Sequence, residues 1–251
     1  MREAIGGLIV PFLGTSAGAA AVLFLKNGSG KRIAGFLSDA AAGIMAAAAV
    51  FSLLLPAMEQ AAAAGGLPRL SACAGFLCGV CFLALWDRFS QRVEHCGAVG
   101  HSTRMLVFSV CLHNIPEGMA VGAAYAALLC GQGTVTAMSA FALALGIALQ
   151  NLPEGAIISL PLHASGVSKG KAFFYGVLSG ASEPVAGALT ILLSRLAVPA
   201  LPWLLSFAAG AMAYVTGFEL LPETLRKRPV FGTLSALAGF ALMTGLDLLL
   251  G

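Results

Sequence analysis

Charge is scarce in this chain. Only 10% of its 251 residues are Asp, Glu, Lys or Arg, while 59% are hydrophobic; ordinary soluble domains carry about 25% charged residues. That shortage excludes a domain solvated on all sides. No charged side chain occurs from Ala4 to Leu25, and none lies between Asp39 and Glu59. Runs of about 20 such residues can cross a bilayer as helices. The net charge is only +3, carried by short basic clusters between apolar runs, which leaves no footprint for nucleic acid. Metal-binding cysteine pairs are also lacking. Of six cysteines, all but Cys96 lie in apolar segments, where cysteine behaves as a small hydrophobe. Cys78 and Cys81 form a C-x-x-C spacing with no second pair, so packing is the better reading. Arg2 followed by apolar residues imitates a signal peptide, but the run is longer than the usual h-region and reads as an uncleaved first span.

What is present is a polytopic pattern. The sequence predicts an all-α membrane protein with eight transmembrane helices, at about residues 4–25, 34–60, 68–87, 105–129, 134–162, 170–195, 200–225 and 230–250. They form one transmembrane domain, 1–251, whose longest hydrophilic connection is a cytoplasmic loop near 88–104. Eleven of the 14 basic residues fall in alternate loops: Lys26, Lys31, Arg32; Arg88, Arg92, Arg104; Lys169, Lys171; and Arg226, Lys227, Arg228. The positive-inside rule places those loops in the cytoplasm and both termini outside. The expected setting is the cell membrane, with lipid as the surrounding partner.

A hexapeptide occurs twice inside apolar stretches, as His113-Asn114-Ile115-Pro116-Glu117-Gly118 and Gln150-Asn151-Leu152-Pro153-Glu154-Gly155. A charge in a span is costly and marks a functional site by default. His113 and Glu117 are four apart and Asn114 and Glu117 three apart, so both neighbour Glu117 on one helix face. Gln150, Asn151 and Glu154 repeat the geometry on an antiparallel partner. If the two helices pack face to face, the glutamates can be shared between two ligand groups, one with His113 and Gln150, the other with Asn114 and Asn151. Pro116 and Pro153 free carbonyls at Leu112 and Leu149, and Gly118 and Gly155 give another helix room to approach. Ser182-Glu183-Pro184 adds a third glutamate at similar depth. Three buried carboxylates without a buried Lys or Arg cannot all remain ionised cheaply; a divalent cation, or protons in its absence, resolves this. Helix glue, a kink or a proton relay would explain either repeat alone. Both repeats together with Glu183 favour a cation site. Mostly oxygen ligands with one imidazole suit Zn, Mn, Fe(II), Co or Cd better than Cu(I).

These residues resemble those of the ZIP (Zrt/Irt-like) divalent-metal transporters, especially the bacterial GufA-type branch. The resemblance rests on the HNxPEG motif at His113–Gly118, on Gln150 with Pro153-Glu154-Gly155, on Glu183-Pro184, and on Gly217-Phe218-Glu219-Leu220-Leu221-Pro222-Glu223. It implies a 3+2+3 arrangement of spans, homodimers, and elevator-like movement of spans 1, 4, 5 and 6 against 2, 3, 7 and 8. It implies uptake of zinc or a related divalent metal as substrate, with no organic cofactor, through a site for up to two ions. The first ion would bind His113, Glu117, Gln150, Glu154 and Glu183; the second Asn114, Glu117, Asn151 and Glu154. Asn151 stands where the pattern has Asp. An amide is a neutral, weaker ligand, so the second position is expected to be weaker, differently selective or empty.

By orientation, Glu59 and Asp247 lie towards the outer ends of their spans, and with Met45 and Ser52 they are candidates for the way in. Glu219 and Glu223, followed by Arg226–Arg228, are candidates for the way out, with ion pairing as the competing reading. His95, Cys96 and His101 are a thin version of the family's histidine-rich inner loop. Two other functions compete: a membrane-embedded metallohydrolase using the same ligands to activate water, and metal/proton exchange or export.

Overall fold

In hydrocarbon there is no water to take up backbone N–H and C=O groups, and helices satisfy them within the segment. The computed structural model describes residues 2–24, 30–63, 68–94, 99–131, 135–193 and 200–250, and every regular element among them is helical. In order these are α1 (Arg2–Phe24), α2 (Gly30–Ala47), a π-helical segment (Ala48–Leu54), α3 (Leu55–Ala63), α4 (Pro68–Glu94), α5 (Val99–Leu129), α6 (Ala137–Ala164), α7 (Lys169–Gly180), α8 (Ser182–Leu192), α9 (Leu201–Tyr214), a second π segment (Val215–Leu220), α10 (Leu221–Lys227) and α11 (Pro229–Leu250).

Six helical stretches among the described residues are long and apolar enough to cross a membrane: Glu3–Phe24, Gly35–Ala62, Leu70–Phe89, Ala137–Ala164, Leu201–Lys227 and Pro229–Leu249. The chain is thus an all-helical polytopic membrane protein. Two further helical segments carry the polar residues: α5, 31 residues long, and the pair α7–α8. The latter breaks at Ala181, three residues before Pro184. Proline has no N–H for the carbonyl four residues back, here Gly180, so the chain restarts as a new helix with Pro184 in its first turn. Between α4 and α5 the helices run further than the apolar pattern requires. Residues 88–94 and 99–104, expected in a loop, are helical, because the arginines, glutamine and glutamate that continue α4 are good helix formers outside the bilayer.

By the tightest contacts of their glycines the helices fall into two groups, and α2 also runs close along α6 between them. In the first, α1 lies along α6, and α5 along α8. A Cβ on Gly14 would come 2.2 Å from the Ala148 carbonyl oxygen, and one on Gly122 2.4 Å from that of Gly187. In the second, α4 lies along α9 and α2 along α11. There Gly79 meets the Phe207 carbonyl oxygen at 2.0 Å, and Gly43 that of Ala236 at 1.7 Å, by the same measure. Small residues allow this approach where lipid offers no hydrophobic drive for association. At one end of the second group the buried Asp39 accepts hydrogen bonds from Thr224 Oγ1 at 2.7 Å and Arg228 Nη2 at 3.2 Å, tying α2 to α10 and to the residue that joins it to α11. The large apolar side chains left outside, such as Leu77 and Leu85 on α4 and Phe231 and Leu237 on α11, form the outer face.

Candidate metal site

The two hexapeptides sit on the antiparallel helices α5 and α6, and the glycines that end them set the depth of contact. A Cβ on Gly118 would lie 2.2 Å from the carbonyl oxygen of Glu183, and one on Gly155 2.0 Å from that of Thr15. Each carboxylate-bearing turn is thereby pressed against a second helix: α5 against α8, and α6 against α1. Glu183 occupies the first turn of α8, where the unpaired N–H groups and the helix dipole favour a negative charge.

Asn114, Gln150 and Asn151 are wholly buried, and Glu117 and Glu183 nearly so. Gln150 Nε2 donates to Glu117 Oε1 at 2.8 Å. Asn114 Nδ2 donates to Glu183 Oε1 at 3.0 Å and to the Ser179 carbonyl at 3.3 Å. Thr15 Oγ1 donates to the same Glu183 oxygen at 2.8 Å. Each of these two amides therefore holds a carboxylate with its N–H and leaves its carbonyl oxygen unused. Asn114 Oδ1, Gln150 Oε1, Glu117 Oε2 and Glu183 Oε2 are buried without a hydrogen-bond partner. Asn151 lies beside the carboxylates of both Glu117 and Glu183, outside hydrogen-bond geometry. Buried acceptors of this kind cost several kcal/mol, roughly, unless something meets them. A set of oxygen donors with net negative charge is what a divalent cation requires.

Glu154 is half-buried and close enough to Glu117 and Glu183 for their charges to interact. Glu117 and Glu154 together line a pocket of about 90 Å³ with Met45, Met212 and Val215. Among the described residues, no three His, Cys, Asp or Glu side chains converge on one point as ready ligands; the cluster is completed by amides. The ion pairs Arg228–Asp39 and Lys227–Glu223 lie away from this cluster.

The residues read as flanking the route fall in several places. Ser52 and Glu59 line a larger pocket of about 480 Å³. Ser52 Oγ donates to Asp247 Oδ1 at 2.8 Å, so three residues read as the way in are gathered at this end. Met45 lines the smaller pocket instead, beside Glu117 and Glu154. Glu223 is exposed and pairs with Lys227 one turn on. His95 lies outside the described residues. His101, His113 and Glu219 sit on described helices, but their side chains lie outside what is described.

A sequence model of the ZIP zinc transporter family matches residues 90–247. The chain belongs to the ZIP family. The zinc transporter GufA of Myxococcus xanthus is 36% identical, over 80% of this chain and 81% of that protein. The zinc transporter ZIPB of Bordetella bronchiseptica is 35% identical, over 99% of this chain and 81% of its own length. The human zinc transporter ZIP11 is 30% identical, with 94% of each chain covered. Membership makes this a multi-pass membrane transporter and not an enzyme, so the metallohydrolase reading falls. Residues outside the motifs also reach the site. Thr15, Ser179 and Met212 contact the site residues and stand out little in apolar helices. Gly14-Thr15-Ser16-Ala17-Gly18 does carry a signal for α1, since glycines four apart mark a close-packing helix face.

Proposed function

We propose that the chain carries zinc, and related divalent metals, into the cytoplasm through a mid-membrane site for up to two ions. His113, Glu117, Gln150, Glu154 and Glu183 would hold the first, and Asn114, Glu117, Asn151 and Glu154 the second. The observation that carries this reading is the division of labour in the amides: N–H to carboxylate, carbonyl oxygen unused and buried beside unused carboxylate oxygens. Such a cluster presents oxygen donors to a cation. Amide and carboxylate donors bind zinc less tightly than the four Cys or His ligands of a closed structural site, which suits release. The zinc transporters to which the chain is similar support the choice of metal.

The architecture that fits is eight spans in a 3+2+3 arrangement with both termini outside, the six apolar stretches being joined by α5 and by α7–α8. The whole chain acts as one transport domain, and two copies form a homodimer. Alternating access is supported by the two pockets. Four helices step from one pocket to the other: Ser52 to Met45, Ala124 to Glu117, Leu143 to Glu154, and Leu205 to Met212. The intervening Ala48, Val121, Ile147 and Ala208 are buried in one apolar cluster. In this conformation the carboxylates therefore communicate with the smaller pocket, on the cytoplasmic side of the proposed orientation, and an apolar layer separates them from the larger. The two bundles, α1 with α5–α8 and α2–α4 with α9–α11, are the bodies whose relative displacement would exchange that access.

Zinc uptake into proteoliposomes or cells tests the assignment. Glu117→Ala and Glu154→Ala should each abolish uptake at wild-type expression; uptake near wild type in either would remove the shared-ligand assignment.

A further inference from the structure

Hydroxyls buried in helices usually bond back to a carbonyl three or four residues earlier. Thr190 does so with Ala186, Ser206 with Pro202 and Ser179 with Gly176. Thr15 does not. Wholly buried on α1, it sends its O–H across to Glu183 Oε1 at 2.8 Å. The competing donor to that oxygen, Asn114 Nδ2, is longer at 3.0 Å and divides itself with the Ser179 carbonyl.

The threonine is itself held from two sides. Its carbonyl oxygen lies against Gly155, where a Cβ would come within 2.0 Å, so α1 is seated on the turn that follows Glu154. Its side chain packs on Gly180, where a Cβ would lie 2.8 Å from Thr15 Cβ and 3.1 Å from Oγ1. A β-branched side chain on a helix has few χ1 choices, and these contacts leave little room for another.

We propose that Thr15 is a positioning residue for the metal ligand Glu183, an inference that rests on the ligand assignment made above. By occupying Oε1 together with Asn114, it fixes the carboxylate rotation and commits Oε2, buried and without a hydrogen-bond partner, to the ion. A ligand oriented beforehand gives up less freedom when metal arrives and binds it more tightly. The residue touches no metal in this scheme; it acts through Glu183, and it links α1 to the site.

The test is zinc affinity of the purified full chain, by competition with a chromophoric chelator, for Thr15→Val, Thr15→Ser, Glu183→Gln and Thr15→Val/Glu183→Gln. Valine keeps the shape and removes the hydroxyl. Thr15→Val should weaken zinc binding by about tenfold, the scale of a hydrogen bond to a charged group. Thr15→Ser should stay within about twofold of wild type, and Thr15→Val should add nothing in the Glu183→Gln background, the mark of two residues acting as one. Equal loss in the valine and serine variants would show a packing role and overturn the proposal. So would no loss in either, or a tenfold loss that persists without Glu183. Wild-type affinity in Glu183→Gln would instead remove the ligand assignment itself. If the valine variant does not fold, Gly180→Ala, which crowds the Thr15 side chain, takes its place: the same loss is expected with Glu183 present and none without it, and any other pattern overturns the proposal.

Discussion

Gly18 of α1 lies so close to Leu152 of α6 that a Cβ would sit 1.8 Å from the Leu152 carbonyl oxygen. The obstacle is backbone, one residue before Pro153 of the second hexapeptide, and no side-chain rotation relieves it. Gly18→Ala must move α1 off α6, a form of overpacking that costs about 1–3 kcal/mol. Gly6→Ala on the same helix meets nothing within 4 Å and should gain about 0.5–1 kcal/mol of helix propensity. Thermal melting of the two variants should move in opposite directions; a shared direction would mean that α1 and α6 are not seated as described.

Asn151 offers a second prediction. It lies beside Glu117 and Glu183 without a hydrogen bond to either, and Asn151→Asp adds a carboxylate at that point. The variant should bind more zinc per chain at saturation than wild type, as read by equilibrium dialysis with metal analysis. Unchanged stoichiometry and affinity would take Asn151 out of the second ion position.

Accessibility tests the apolar layer. In a background without native cysteines, Ser52→Cys should react with an impermeant maleimide from the outer face only, and Ile157→Cys from the cytoplasmic face only. Ala48→Cys, between the pockets, should be protected from both by at least tenfold in rate. Labelling of Ala48→Cys from the outer face at the rate of Ser52→Cys would mean that the layer is open there.

The portion of the site that was legible in the sequence is the portion built from rare residues. Glutamates and prolines in apolar runs are conspicuous because each has a cost in lipid, and their repetition placed Glu117 and Glu154 on facing helices. Gly118 and Gly155 were legible for the same reason, and both meet a neighbouring backbone. Thr15 was not, because a lone threonine in a helix ordinarily bonds to its own backbone and needs no partner. The π segments at Ala48–Leu54 and Val215–Leu220 leave no mark on composition, since widening a turn depends on what packs around it. The break at Ala181 had its cause in view at Pro184, but proline inside α5 and α6 leaves those helices continuous, so proline alone did not decide where a span would part.

The close glycine contacts have a consequence at the seam between the bundles. Among the described glycines, backbone meets backbone only within a bundle; across the seam, Gly146 meets the terminal methyl of Met243. A methionine end is flexible and can refill a gap of changed shape. If the two bundles move against each other as proposed, main-chain contacts would hold each together while the flexible end of Met243 faces the seam at Gly146. The cost of an added methyl therefore differs by location: at Gly14 or Gly79 it meets main chain and must shift one helix off another, whereas at Gly146 it meets a side-chain end that can turn aside.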